Sequence, residues 1–181
     1  IALELFGPNK YNERVFELNA SDERGINIVR EKIVNLAKSS VGTNDPNYLC
    51  PSYKLIILDE ADAMTAEAQS ALRKIMEDYS NVTRFCFICN YKNKIIDPIV
   101  SRCVKFRFKP LTPNLVVGKL KSIAKQENIN ISGEAIEYIA QSCNGDLRKG
   151  IMYLQNSTYI TNEKVTVAHV ADVINAIPDD F

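Results

Sequence analysis

The sequence lacks a long apolar run and an excess of either charge, and it contains a single histidine. No apolar run is long enough to span a membrane, which argues against a membrane partner. Lys plus Arg and Asp plus Glu each number 22, so the net charge is zero, which disfavours a polybasic DNA-coating protein. We find no internal repeat or low-complexity segment. The 181 residues are 46% hydrophobic, which is enough for a real core in one large domain or two small ones.

The five cysteines show neither a disulfide framework nor a zinc pattern. Cys86 and Cys89 have C-x-x-C spacing, but no second pair follows, and the single histidine, His169, is distant in sequence. An odd number of scattered cysteines in apolar runs predicts reduced thiols. We therefore interpret Cys86 and Cys89 as residues of a buried strand.

Strand and helix patterns alternate up to residue 108, and only helical patterns follow. Apolar runs predict strands at 15–18, 54–58, 84–89 and 104–108. Helical periodicity appears at 25–38, 68–79, 113–127, 132–142, 146–159 and 167–176. Residues 1–6 have the pattern of a helix end closed by Gly7 and Pro8, so we expect a truncated start. The predicted organisation is an α/β domain with a parallel sheet over residues 1–108 and a small all-helical domain over residues 109–181.

Two adjacent carboxylates follow the apolar run Leu55-Ile56-Ile57-Leu58. In open α/β sheets, ligands bind at the carboxyl ends of the strands. Asp59 is suited to hold Mg²⁺, directly or through a water, and Glu60 is suited to polarise an attacking water, as phosphoryl transfer requires. A strand that simply ends in a solvated acidic turn is the alternative.

Three further polar residues are candidates on weaker grounds. Asn90 ends the next predicted strand and would orient a water or contact a phosphate, although Asn at this position is more often a turn residue. Arg102 precedes the last predicted strand and offers bidentate phosphate contacts. Arg148 begins a helix of the second domain. For both arginines, an ordinary solvated side chain is the alternative.

Five motifs occur in an order that resembles the small subunits of replication factor C, which are AAA+ ATPases of the clamp loader. The motifs are Asn19-Ala20-Ser21-Asp22-Glu23-Arg24-Gly25, Ile57-Leu58-Asp59-Glu60-Ala61-Asp62, Ile88-Cys89-Asn90, Ser101-Arg102-Cys103 and Gly145-Asp146-Leu147-Arg148. The resemblance is greatest to the subunit numbered four in the human naming. It implies an AAA+ P-loop NTPase core followed by a helical lid, with ATP and Mg²⁺ as cofactors.

The resemblance also assigns roles to the candidate residues. Asp59 and Glu60 correspond to the Walker B pair, which are the Mg²⁺ holder and the catalytic base. Asn90 corresponds to sensor 1, and Arg148 to sensor 2, which couples the lid to bound nucleotide. Arg102 corresponds to an arginine finger that acts in trans on the ATP of the neighbouring subunit.

The family's Walker A loop, G-x-x-x-x-G-K-[ST], does not occur in this sequence. That loop supplies the backbone N–H groups and the lysine that cradle the phosphates. We therefore expect the 181-residue chain by itself to bind ATP weakly or not at all and not to hydrolyse it. A direct titration that gave tight ATP affinity would contradict this expectation.

The resemblance further implies partners: the other subunits of a hetero-pentameric clamp loader, a sliding clamp and primer-template DNA in the nucleus. Arg24 and Arg30 lie near the start of a predicted helix that faces the central duplex in the family, so we expect them to bind phosphates, with plain solvated charges as the alternative. Residues 39–52 form a predicted loop in the region of clamp contact.

Two other function classes stay open. A non-catalytic AAA+ assembly module is the first. The second is a DEAD-box RNA helicase, since residues 59–62 spell that motif. A helicase would need Ser-Ala-Thr on the next strand and a second α/β domain, whereas Cys89-Asn90 and helical patterns occur here.

Overall fold

The computed structural model describes residues 1–21, 29–39, 41–161 and 163–176, with the backbone alone for residues 29, 30 and 176. The chain forms two compact units, Ile1–Lys105 and Phe106–Phe181. The division between them therefore falls inside the segment 104–108 that we predicted as a strand.

The first unit alternates strands and helices. Its elements are α1 (Ala2–Arg14), β1 (Val15–Asn19), a π-helical turn (Val29–Ile33) continued by α2 (Val34–Lys38), β2 (Lys54–Asp59), α3 (Ala66–Asp78), β3 (Thr83–Phe87) and α4 (Asp97–Val100). The second unit contains α5 (Pro113–Gln126), α6 (Gly133–Ser142), α7 (Leu147–Ile160) and α8 (Val167–Ala176). None of the helices in the described ranges has the length and hydropathy needed to cross a membrane.

The three strands pair in parallel in the order β1-β2-β3, so β2 is central, and the predicted parallel α/β fold is confirmed. Leu55 lies opposite Val15 on one side and opposite Arg84 on the other. Ile56 and Leu58 of β2 are buried and share one apolar cluster with α3. Since the carboxyl ends of parallel strands meet at one edge, this register places the ends of all three strands together.

The predicted strand over residues 104–108 is wrong, since these residues, all of which the structure describes, form no strand. Val104, Phe106 and Phe108 are 81%, 80% and 92% exposed. Their alternation with Lys105 and Arg107 has the period of a strand. However, a strand also needs backbone partners, and none of the described strands pairs with this segment.

The strand predicted at residues 84–89 is present as β3 (Thr83–Phe87), but the prediction that it is buried and includes Cys89 is wrong. β3 ends at Phe87, and it lies at the edge of the described sheet. Phe85 and Phe87 pack on the core, whereas Arg84 and Cys86 are exposed. Because only one face of β3 is covered, apolar residues on both faces were a misleading signal.

Gly7 interrupts α1, and the first helical segment ends there as the sequence predicts. Gly7 has φ 71° and ψ 164°, and a Cβ at this position would lie 2.5 Å from ring atoms of Tyr48. Pro8, with no N–H to satisfy, then starts a second helical segment that runs to Arg14. This second segment, polar and short, was not predicted.

Two buried cationic side chains hydrogen-bond to the backbone of the irregular region before β2. Arg14 and Lys54 are 0% and 1% exposed. The Lys54 Nζ donates to the carbonyls that end α2, those of Leu36, Ala37 and Ser39. The Arg14 guanidinium donates to the carbonyls of Gly42, Thr43, Pro51 and Tyr53. Burial lowers the pKa of Lys54, and the charge of Arg14 lowers it further. Residues 41–53 are therefore held by side chains in place of regular secondary structure.

Two helices of the second unit, α6 and α7, begin at residues whose side chains cap them. The Ser132 hydroxyl accepts a hydrogen bond from the Ala135 N–H, and the Asp146 carboxylate accepts one from each of the Arg148 and Lys149 N–H groups. Thr112 precedes α5 without a side-chain cap, and Pro113 fixes the first turn. These four helices surround a separate apolar core centred on Leu120, Ile139, Tyr153, Leu154 and Val170.

Candidate functional site

The end of the central strand carries both predicted acids. Asp59 is the last residue of β2, and Glu60 follows it; both side chains are exposed. Glu60 has φ 52° and ψ 38°, a left-handed conformation that is uncommon for a residue with a Cβ. Its N–H donates to the Asp59 Oδ1 at 2.9 Å. This turn directs the chain away from the strand immediately after the two carboxylates.

Asn19, at the end of β1, contributes a polar side chain next to Asp59. The two residues are partners in the strand register, and the Ala20 N–H donates to the Asp59 carbonyl at 2.8 Å. The Asn19 Oδ1 accepts hydrogen bonds from the N–H and the hydroxyl of Ser21. The sequence places Asn19 in a motif, but its position beside the acids depends on strand register and could not be predicted from the motif.

On the other side of β2, backbone hydrogen bonds bring Asn90 to the same edge. The Ile88 N–H donates to the Leu58 carbonyl, and the Ala61 N–H donates to the Ile88 carbonyl. Asn90 follows, and its N–H donates to the Asp62 Oδ1 at 3.3 Å. The exposed carboxamide of Asn90 makes no hydrogen bond with any residue that the structure describes. Asp62 was not predicted to position Asn90.

The carboxylates at this edge suit a hydrated cation whose coordination shell is completed by a bound ligand. In the described ranges, no group of three or more His, Cys, Asp or Glu side chains is placed to hold a metal ion by itself. Mg²⁺ commonly uses one or two carboxylates and completes its shell with water and phosphate oxygens. Asp59 fits this role, because only one of its oxygens is engaged, by a backbone N–H.

The C-x-x-C pair forms no metal site in the described part of the chain, and the thiols of Cys86 and Cys89 are free and exposed. Partial burial raises the pKa of both thiols, and the Asp62 carboxylate raises that of Cys89 further. A raised pKa leaves a smaller fraction of each thiol in the reactive thiolate form.

Arg102 lies on the surface of the first unit, just beyond α4, and its side chain is 38% exposed. Its Nη1 donates to the Pro98 carbonyl at 2.8 Å, and its Nη2 lies 2.6 Å from the Glu77 Oε1. The same oxygen accepts from the Arg73 Nε at 3.1 Å. Arg102 is thus neither buried nor free, but tied to α3 through a shared carboxylate.

The remaining predicted arginines are described incompletely or belong to the second unit. Arg148 is the second residue of α7, and its side chain is exposed. Arg24 lies outside the described residues, and of Arg30 only the backbone, in the π-helical turn, is described. The roles predicted for these three residues stay predictions.

Sequence comparisons relate the chain to subunits of DNA polymerase III and of replication factor C. A family model described as DNA polymerase III, delta subunit, matches residues 12–112, and one described as RCF1/5-like, AAA+ ATPase lid domain, matches residues 118–157. Replication factor C subunit 4 of Homo sapiens is 51% identical over 179 residues, which are 98% of this chain and 49% of that protein. Replication factor C subunit 2 of Saccharomyces cerevisiae is 50% identical over an alignment of 187 residues, which covers 98% of this chain and 53% of that protein.

The chain spans about half the length of the curated relatives it matches. In structure it is similar to the RuvB Holliday junction branch migration motor of Thermotoga maritima, with a TM-score of 0.70 and 13% identity over 95% of this chain and 56% of that one. That likeness shows the AAA+ fold alone. The matched family models and the relatives that are about half identical show that the chain belongs to the replication factor C small subunits of the AAA+ family.

Proposed function

We propose that the full-length protein is an ATP-hydrolysing subunit of a clamp loader, which opens a sliding clamp and loads it onto primer-template DNA in replication and repair. The observation that supports this most is the edge of the sheet at which Asp59 ends the central strand, Glu60 follows it and Asn90 lies beside Asp62. Relatives that are about half identical are named as replication factor C subunits, which favours the same assignment.

In this proposal, each residue at the edge has one task. Asp59 would hold Mg²⁺, which when bound would neutralise charge on the phosphates of ATP during phosphoryl transfer. Glu60 orients and polarises the attacking water. The carboxamide of Asn90, which is free to turn toward a ligand, orients the water or contacts the terminal phosphate. Arg148 of the second unit contacts the nucleotide from the lid.

Arg102 serves the site of a neighbouring subunit, so the active form is an assembly. We propose a nuclear hetero-pentamer with other clamp-loader subunits, in which one chain supplies the acids and the next supplies the guanidinium. The exposure of Arg102 supports this role, since a buried arginine would not reach another chain.

The test is ATP hydrolysis by the full-length chain assembled with its partner subunits, with and without the clamp and primer-template DNA. We expect the two ligands together to stimulate turnover. A different outcome is that the Glu60→Gln variant of this subunit assembles and binds the clamp without any change in the rate of ATP hydrolysis. That result would show that this subunit is a non-catalytic assembly module. RNA-stimulated activity of the chain alone would favour the helicase, although the second unit is helical throughout its described elements.

DNA contact by Arg24 and Arg30 is part of the proposal and has its own test. Each lost phosphate contact reduces the salt slope of binding, because fewer counterions are released. We expect Arg30→Glu in the full complex to weaken DNA binding and to flatten the salt dependence by about one unit. Fluorescence anisotropy over a salt series measures both, and an unchanged slope would exclude a phosphate contact.

A further inference from the structure

One carboxylate oxygen joins two guanidinium groups on the surface of the first unit. The Glu77 Oε1 lies 2.6 Å from the Arg102 Nη2 and 3.1 Å from the Arg73 Nε. Glu77 lies in the last turn of α3, one helical turn beyond Arg73, and Arg102 follows α4. The three side chains are partly exposed, so the cluster lies where another molecule can reach it.

The orientation of the Arg102 guanidinium is fixed at two points. Its Nη2 contacts Glu77, and its Nη1 donates to the Pro98 carbonyl at 2.8 Å. A guanidinium is planar and carries five N–H donors, so two anchored nitrogens define the plane of the group. In the part of the chain that the structure describes, its other donors have no protein acceptor. They are therefore available to an anion in a set orientation.

We infer that Glu77 is a positioning residue for Arg102, holding its guanidinium ready for the triphosphate of a neighbouring subunit's ATP. The inference rests on the proposed function, in which Arg102 acts in trans. Glu77 itself contacts no nucleotide in this scheme. It acts through Arg102, and Arg73 contacts the same carboxylate oxygen.

Glu77 orients Arg102 without sequestering it from a phosphate. An exposed ion pair of this kind is weak, and Glu77 divides its charge between two arginines, whereas a triphosphate carries several negative charges. The hydrogen bond from Arg73 is the main cause that lowers the pKa of Glu77, and the charges of Arg73 and Arg102 add to it, although partial desolvation opposes them. The carboxylate is thus ionised at neutral pH.

The experiment compares Glu77→Gln with Asp78→Asn in the full-length subunit within the assembled complex. Asp78 is the next residue of α3, is exposed and makes no side-chain hydrogen bond or ion pair within the described ranges, so its variant removes the same charge at almost the same place. We expect Glu77→Gln to lower kcat at the neighbouring site about 3–30-fold, because a loosely held guanidinium is less often in the productive geometry. KM for ATP and Tm should change little, and Asp78→Asn should match the wild type.

A third comparison separates positioning from a general structural effect. In the Arg102→Ala background, measured over a single turnover, Glu77→Gln should add no further loss, since its effect passes through Arg102. A loss that persists in that background would overturn the inference, as would wild-type kcat for Glu77→Gln. If Arg102→Ala itself leaves hydrolysis unchanged in an intact complex, the trans role of Arg102 in the proposed function fails instead.

Discussion

Arg102→Ala in the full-length subunit is expected to lower ATP hydrolysis at the neighbouring subunit's site by about 10³–10⁵-fold, as loss of an arginine finger does in other phosphoryl-transfer systems. The guanidinium compensates the charge that spreads over the phosphoryl oxygens in the transition state. The substitution should leave the fold intact, because Arg102 is 38% exposed and Glu77 keeps its hydrogen bond with Arg73. Alanine therefore removes the charge and little else.

A residue that acts in trans is identified by the subunit whose ATP site loses activity when the residue is replaced. Nucleotide affinity and single-turnover hydrolysis should be measured separately for the subunit that carries the substitution and for its neighbour, using the purified pair. We expect only the neighbour's site to fail. Arg107→Ala is a matched control, because Arg107 is also exposed, lies a few residues away in sequence and makes no side-chain hydrogen bond or ion pair with the described residues. Loss confined to the mutated subunit's own site would contradict the trans assignment.

The elements that could be predicted from the sequence are those whose own residues determine them. The apolar run before Asp59 is long enough to identify a central strand, and the caps Ser132 and Asp146 locate the starts of two helices. The segment 104–108 has an equally clear alternation, but a strand also requires a partner, and that information is not in the segment itself. Its apolar side chains are exposed for the same reason.

The candidate site was predictable to the same extent. Asp59 and Glu60 could be found because they lie at the end of the strand that positions them. Asn90 required the additional assumption that two strands are neighbours, and the backbone contact with Asp62 now ties it to that edge. Glu77 could not be found, since it lies 25 residues from Arg102 and only the packing of α3 brings the two together.

Glu60→Gln is expected to lower hydrolysis at this subunit's own site by about 10²–10⁴-fold, the usual contribution of a general base. Glutamine matches glutamate in size, and it tolerates the left-handed backbone at this position about as well, so the turn after β2 should keep its shape. What it loses is the negative charge that polarises the water. Binding of ATP should be preserved, because the proposed Mg²⁺ holder is Asp59.

The expected loss of hydrolysis is checked by single-turnover measurements, and the expected retention of ATP by equilibrium binding. Both are measured in the same full-length complex. Glu67→Gln is the control, since Glu67 is an exposed acid in the first turn of α3 and makes no side-chain hydrogen bond within the described ranges. Asp59→Asn provides the contrast: removing the charge that holds Mg²⁺ should weaken ATP binding as well as hydrolysis. If Glu60→Gln and Asp59→Asn both behave like Glu67→Gln, the two acids are a solvated turn at the end of a strand. If both variants bind ATP poorly, the acids share the metal and the base lies elsewhere. Only tight binding with slow turnover for Glu60→Gln, beside weak binding for Asp59→Asn, assigns the water to Glu60 and the metal to Asp59.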